Sequence, residues 1–144
     1  MEPLSLPAQL NSLEEIGKYV VRATTEAKLA TKAAYGLRLA VDEIATNIVT
    51  HGYEEAGMSG EVTVSAALTD SSLTVVLEDT GLPFDPLSHP LPGEDDLNLP
   101  LEERRVGGLG IFLVIKGVDV FRYERAHDQN RNIFVVNRTP EGPA

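Results

Sequence analysis

The 144-residue chain contains no cysteine. That excludes a disulfide scaffold, a Cys-ligated zinc site, an iron–sulfur cluster and a thiol nucleophile. No apolar run reaches the ~18 residues that a membrane-spanning helix requires. Positive charge is scarce as well: 12 Lys and Arg stand against 22 Asp and Glu, a net charge of −10. Such a surface repels nucleic acid and anionic membranes. It leaves room for a basic protein partner, or for a local cationic spot that binds an anion. The opening residues carry Glu2, Pro3 and Pro7 and no basic stretch, which does not fit a secretory leader. The expectation is a soluble, cytoplasmic chain with no direct nucleic-acid or membrane contact. Hydrophobic residues at 42% and charged residues at 24% argue against disorder, and the length suits one domain, residues 1–144, with a single core.

Two periods organise the chain. Leu4, Leu6 and Ala8 alternate weakly and suggest a short edge strand. Ser12 and Glu15 match a helix capping box, and Leu13, Ile16, Val20 and Ala23 or Ala27 follow at helical spacing, predicting a helix over about 12–30. Ala34, Leu37, Val41, Ile44 and Ile48 predict a second helix over about 31–51, with Gly52 as its stop. The period then changes to two: Val62, Val64, Ala66 and Leu68, a turn at Asp70-Ser71-Ser72, then Leu73, Val75 and Leu77 predict an antiparallel hairpin ending near Asp79. Residues 83–100 hold five of the nine prolines and the acidic run Glu94-Asp95-Asp96, a density that neither a helix nor a central strand tolerates, so a long loop is expected there. Gly107 to Gly110 open an apolar segment, a short buried helix over about 111–118, and two strands follow at about 119–126 and 131–138, joined by His127 to Asn130. The order β-α-α-β-β-loop-α-β-β predicts an α+β, two-layer sandwich: a mixed, mainly antiparallel sheet with helices on one face.

Three constellations could carry chemistry. Glu43, Asn47 and His51 recur at four-residue steps and form one slowly drifting stripe beside the apolar face of the second helix. Taken alone this is the polar edge of an amphipathic helix. Yet Asn is a poor interior helix residue, a carboxylate can accept a proton, and an amide oxygen is a hard ligand suited to Mg²⁺. Asp79-Thr80-Gly81-Leu82-Pro83-Phe84-Asp85 reads on its face as a turn; as a site, it needs Asp79 buried enough to take a hydrogen bond from a ligand amine, with Gly81 letting a flat ring approach. Arg104-Arg105-Val106-Gly107-Gly108-Leu109-Gly110 puts planar donors and open backbone N–H groups at a helix start, where an anion is favoured, and it also reads as a plain linker. The P-loop's Lys-Ser or Lys-Thr is missing and no strand precedes the glycines, so neither a P-loop nor a dinucleotide fold is supported. No Gly-x-Ser-x-Gly elbow is present, and His51, His89 and His127 lie too far apart in sequence to suggest a metal site.

In their order, these stretches resemble the GHKL (Bergerat-fold) ATP-binding family, and within it the anti-sigma factor serine/threonine kinases, from about residue 12 to 138. Leu39 to Tyr53 is similar to the family's N box, Asp79 to Pro86 to its first glycine box, and Gly107 to Leu113 to its second. The resemblance implies ATP and Mg²⁺ as cofactors. It implies Glu43 as the general base, Asn47 as the Mg²⁺ ligand, and His51 at the last N-box position beside the nucleotide. Asp79 would accept from the adenine amine, with Gly81 beside the ring. Gly108 and Gly110 would meet the phosphates, residues 86–106 would form an ATP lid, and Arg105 would reach the phosphates from it. Where other branches carry a Gly-Thr pair in the strand flanking adenine, this chain has Asn130-Arg131-Asn132-Ile133. No phosphoacceptor helix with a His-Glu pair is evident, which disfavours a two-component sensor kinase.

The implied function is that of an ATP-dependent protein serine/threonine kinase and anti-sigma regulatory factor. It would phosphorylate a small STAS-type anti-anti-sigma partner and sequester a sigma factor, in a family whose members commonly form homodimers. Two alternatives stay open: a non-catalytic switch in which nucleotide gates protein binding, and an α+β interaction domain that takes no nucleotide.

Overall fold

The computed structural model of the chain describes residues 1–85, 114 and 116–138. The sequence-predicted lid at 86–106, with Arg105, and the second glycine box, with Gly108 and Gly110, lie outside the described residues. Strands β1 (Leu4–Pro7), β2 (Glu61–Leu68), β3 (Ser72–Asp79), β4 (Val120–Ala126) and β5 (Gln129–Asn137) form one five-stranded sheet in the order β1-β2-β3-β5-β4. All four pairings are antiparallel, so the sheet expected to be mixed is antiparallel throughout its described strands. The hairpin of β4 and β5 folds back so that β5, not β4, pairs with β3.

Helices α1 (Leu13–Glu26) and α2 (Thr31–Asn47) cover one face. The core is where the two periods meet: Ile16, Tyr19, Val20 and Ala23 of α1, and Leu37, Val41 and Ile44 of α2, pack on Val62, Val64, Leu73, Val75, Leu77, Phe134 and Val136 of the sheet. Burying each such side chain contributes roughly 1.5–3 kcal/mol. The other face is polar over much of its area; there Arg131 bridges Glu78 of β3 at 3.8 Å and Glu124 of β4 at 3.5 Å across three adjacent strands.

Several local expectations change. The capping box does not form: residues 10–12 already make a 3-10 turn, Ser12 is itself helical at φ −80° and ψ −14°, and its side chain makes no cap bond. A box needs an extended N-cap residue, which that turn denies. Helix α1 ends at Glu26, four residues early, where Lys28 takes a φ of 53°. Gly52 does not stop the second helix. After Asn47 the chain continues as a π-type segment over Ile48–Glu54, with Glu55 N–H donating to the Thr50 carbonyl and Met58 N–H to that of Tyr53, both at 2.9 Å. The joint between β4 and β5 shrinks to His127 and Asp128, both at positive φ, as a tight two-residue hairpin turn demands.

Two glycines set how closely the chain can pack. A Cβ on Gly36 of α2 would stand 2.6 Å from the Gly117 carbonyl oxygen, and one on Gly117 2.8 Å from that of Gly36. Backbone thus meets backbone where α2 supports the helical residues that precede β4.

Candidate nucleotide site

The site lies where β3 ends beside the C-terminal part of α2. Asp79 closes β3 directly opposite Asn130 of β5, and it is buried at 4% exposure. Its Oδ1 accepts from the Gly81 N–H and from Asn130 Nδ2, both at 2.9 Å. Its Oδ2 is buried and finds no partner. Burial first raises the Asp79 pKa, against lowering by the Asn130 side chain, the Gly81 N–H and the Arg125 charge. An acceptor buried in this way invites a donor from outside the chain.

Asn130 is the hub beneath it. Its amide nitrogen also donates to the Gly81 carbonyl at 3.1 Å and the Leu82 carbonyl at 3.3 Å, and its oxygen accepts from Arg125 Nη1 at 2.8 Å and from the Tyr123 hydroxyl. The 80–82 turn is therefore clamped from β5 and β4. It is also clamped from the helical side. The Leu82 N–H donates to the Gly52 carbonyl at 3.0 Å, and Tyr53, 1% exposed, accepts from the Thr80 N–H at 2.9 Å while donating to the Glu61 carbonyl at 3.0 Å. A Cβ on Gly81 would fall 2.7 Å from that same Gly52 oxygen. The missing Cβ at Gly81 thus lets the turn pack against the Gly52 backbone while the Gly81 N–H bonds Asp79.

Asn47 reaches this cleft from α2. Its walls are Ile44, Asn47, Ile48, Gly52, Asp79, Leu82, Phe84, Asn130 and Asn132, and they enclose only about 10 Å³. Phe84 stacks on the His51 ring, with centroids 5.1 Å apart and planes 15° apart, and His51 Nδ1 lies 2.9 Å from Glu55 Oε2. The π-type segment turns His51 off the line that an unbroken α-helix would give it, towards Phe84 at the rim. Glu43 stands one turn before Asn47, half-buried, with its pKa raised by burial first and by Asp42 second; it is not among the cleft walls. A larger cavity of about 760 Å³ between the outer sides of α1 and α2 contains none of these groups. Volume is the weaker guide here, because an open groove between helices has no buried polar group waiting for a ligand.

Of the sequence-predicted residues, the structure puts Asn47 and Asp79 in the cleft walls; Gly81 is bonded to Asp79 behind them, His51 stacks on the wall residue Phe84, and Glu43 lies outside the walls. Among the described residues no group of three or more His, Asp or Glu could hold a metal. A Mg²⁺ ion bound through Asn47 and the substrate's phosphates needs no such cluster. Tyr123 and Arg125 were not singled out from sequence, and Asn130 and Asn132 only as part of the stretch that stands where other branches carry a Gly-Thr pair. The usable signal was two asparagines on the inward parity of a strand, at positions that Phe134 and Val136 continue, since strands are poor in Asn.

The five-stranded antiparallel sheet with two helices on one face is an open α+β sandwich, in which the carboxylate at the end of β3 and Asn47 of α2 share one cleft. Residues 6–136 match the model of the histidine kinase-like ATPase domain, and the chain belongs to that family. It is 31% identical over 101 residues to the serine-protein kinase RsbW of Bacillus cereus, covering 69% of this chain and 61% of that relative. It is 33% identical over 79 residues to RsbW of Halalkalibacterium halodurans, covering 54% and 47%. The chain thus spans less than two thirds of these relatives' own length. Among solved structures, the RsbU and RsbW domains of Rv1364c from Mycobacterium tuberculosis share its fold at a TM-score of 0.63 and 16% identity, over 100% of this chain and 35% of that one. A histidine kinase domain from Erythrobacter litoralis does so at 0.50 and 15%, over 91% and 61%. No helix among the described residues is long and apolar enough to cross a membrane.

Proposed function

We propose that the chain is an ATP- and Mg²⁺-dependent protein serine/threonine kinase acting as an anti-sigma regulatory factor. It transfers the γ-phosphate to a Ser or Thr hydroxyl of a small STAS-type anti-anti-sigma protein, and it sequesters a sigma factor. The observation that carries this reading is Asp79: one oxygen is fixed by Asn130 and Gly81, and the other is buried with no partner. The exocyclic amine of adenine supplies the missing donor. The likeness to serine-protein kinases named RsbW supports the reaction and its regulatory setting.

Each residue then has a task. Asn47 turns an amide oxygen, a hard ligand, to Mg²⁺, which when bound neutralises phosphate charge. Glu43 takes the proton of the attacking hydroxyl as that oxygen bonds to the γ-phosphorus and the bond to the β–γ bridging oxygen breaks, releasing ADP. Partial burial keeps its carboxyl more basic than an exposed one, which suits a general base. His51 borders the site. Arg105, Gly108 and Gly110 are assigned to the phosphates by the family resemblance.

One observation favours a second reading, the non-catalytic switch: the cleft encloses only about 10 Å³, so a nucleotide bound there would rearrange its walls and the Phe84–His51 stack beside them. The two are separated by incubating the protein with radiolabelled Mg-ATP and a purified STAS-type partner. The kinase reading expects label on a Ser or Thr of the partner, with Glu43→Gln cutting the rate by at least ~100-fold while nucleotide still binds. Nucleotide-dependent complex formation without label on the partner would leave only the switch. Retained transfer in well-folded Glu43→Gln would remove that residue as the base.

A further inference from the structure

The cleft holds a second unpartnered oxygen, and the nucleotide reading above gives it a use. Asn132 sits on β5 directly opposite Leu77, one inward step along the strand from the Asp79–Asn130 pair. That diagonal spacing across a sheet is within reach of side chains of this length. Asn132 is 2% exposed, and its Oδ1 has no hydrogen-bond partner. Among the described residues, Asn132 Oδ1 and Asp79 Oδ2 are the two buried side-chain polar atoms left in this condition, and both residues line the same cleft. A valine or leucine there would have extended the row of Phe134 and Val136 into the core. An asparagine in a strand interior, with its carbonyl buried and unmet, is unfavourable unless something arrives to meet it.

Two neighbouring acceptors call for two donors. The exocyclic amine of adenine has two N–H hydrogens, pointing to opposite sides in the plane of the base. A single carboxylate oxygen takes one of them. We propose that Asn132 is a second base-reading residue: its Oδ1 accepts the other amine hydrogen, so that the amine is held from both sides. This rests on adenine nucleotide binding at Asp79 and assigns to Asn132 a share of the base specificity. Asn130 has a different part. Its amide is spent on Asp79, Gly81 and Leu82, so it positions the first reader and does not face the base.

The test is a binding cycle that uses the intact chain with two nucleotides: ATP, and purine riboside triphosphate, which is the same molecule without the amine. Dissociation constants are measured by calorimetry for the wild type, for Asn132→Leu and for Asn132→Ala, with a thermal melt of each. Removal of an unmet buried carbonyl leaves the Asn132→Leu melt unlowered; should leucine fail to fit, Asn132→Ala carries the cycle. The expected result is that the variant loses about tenfold in affinity for ATP, the size of one hydrogen bond, while purine riboside triphosphate binds as it does to the wild type. An unchanged ratio of the two affinities overturns the proposal and leaves the Asp79 reading standing. Equal loss for both nucleotides overturns it too, because it makes Asn132 a purely structural group. No binding of either nucleotide to the wild type removes the nucleotide reading itself.

Discussion

Asp79 is tied on one oxygen and unpartnered on the other, and its pKa reflects its burial. Burial raises it above its ordinary value. A carboxyl whose folded-state pKa is raised contributes stability that is fully present below its unfolded pKa and lost as pH rises through the folded value. Above the folded value that contribution is gone. Asp79→Asn, which cannot ionise, is therefore expected to melt no lower than the wild type near pH 7, with any advantage shrinking as the pH falls into the carboxyl range. The same variant should lose ATP binding. Melts across pH, paired with a nucleotide titration, check both halves. Glu43 allows a second test at this scale. Its pKa is raised, by burial first and then by Asp42, so with Glu43 as the proposed base the acid limb of the kcat/KM profile should lie higher than an exposed glutamate would put it. Asp42→Asn takes away a like charge and should move that limb to lower pH; an unmoved limb would mean that another group titrates. Residue type and spacing made Glu43, Asn47 and Asp79 legible as candidates. The hub at Asn130 was not legible, because its neighbours are set by the pairing of β3 with β5, between residues about fifty positions apart in sequence.

The elements were largely legible because their periods are clean: two amphipathic helices and two antiparallel hairpins stand near where the apolar spacing puts them. What spacing could not show is how elements meet. The π-type segment after Asn47 leaves no mark in the apolar pattern, since a helix with wider turns still buries Ile48, Val49 and Tyr53. Such segments often occur at functional sites. Here it carries the Gly52 carbonyl to Leu82, and His51 to Phe84. The glycines of the helices differ in the same hidden way. Gly17 of α1 has room, a Cβ there having Arg38 Nε as its nearest neighbour at 4.0 Å, whereas a Cβ on Gly36 of α2 would stand 2.6 Å from the Gly117 carbonyl oxygen. Gly17→Ala is expected to stabilise the protein by about 0.5–1 kcal/mol through helix propensity. Gly36→Ala is expected to destabilise it by roughly 1–3 kcal/mol, because the backbone contact outweighs the same propensity gain. Urea unfolding of the two variants reads the difference in sign. Stabilisation by both would mean that α2 and the segment before β4 do not touch in this way.

At the scale of the molecule, the two layers matter to function because they bring together groups that are distant in sequence. The end of β3 presents a carboxylate, β5 fixes it from below, and α2 with its π-type extension closes the cleft from the side. The family match over residues 6–136 agrees with that architecture. The proposed adenine end of the site consists of described residues, while the phosphate end is assigned to Arg105, Gly108 and Gly110 on resemblance. The net charge of −10 sets a further condition: a polyanionic substrate enters against the overall field, so its affinity should rise with Mg²⁺ and moderate salt. The most direct measurement is a calorimetric titration of Mg-ATP into the wild type and into Asp79→Asn. The account predicts saturable binding of one nucleotide per wild-type chain and loss of that binding in the variant. Absence of heat with the wild type at millimolar Mg-ATP, or equal affinity in the two proteins, would contradict it.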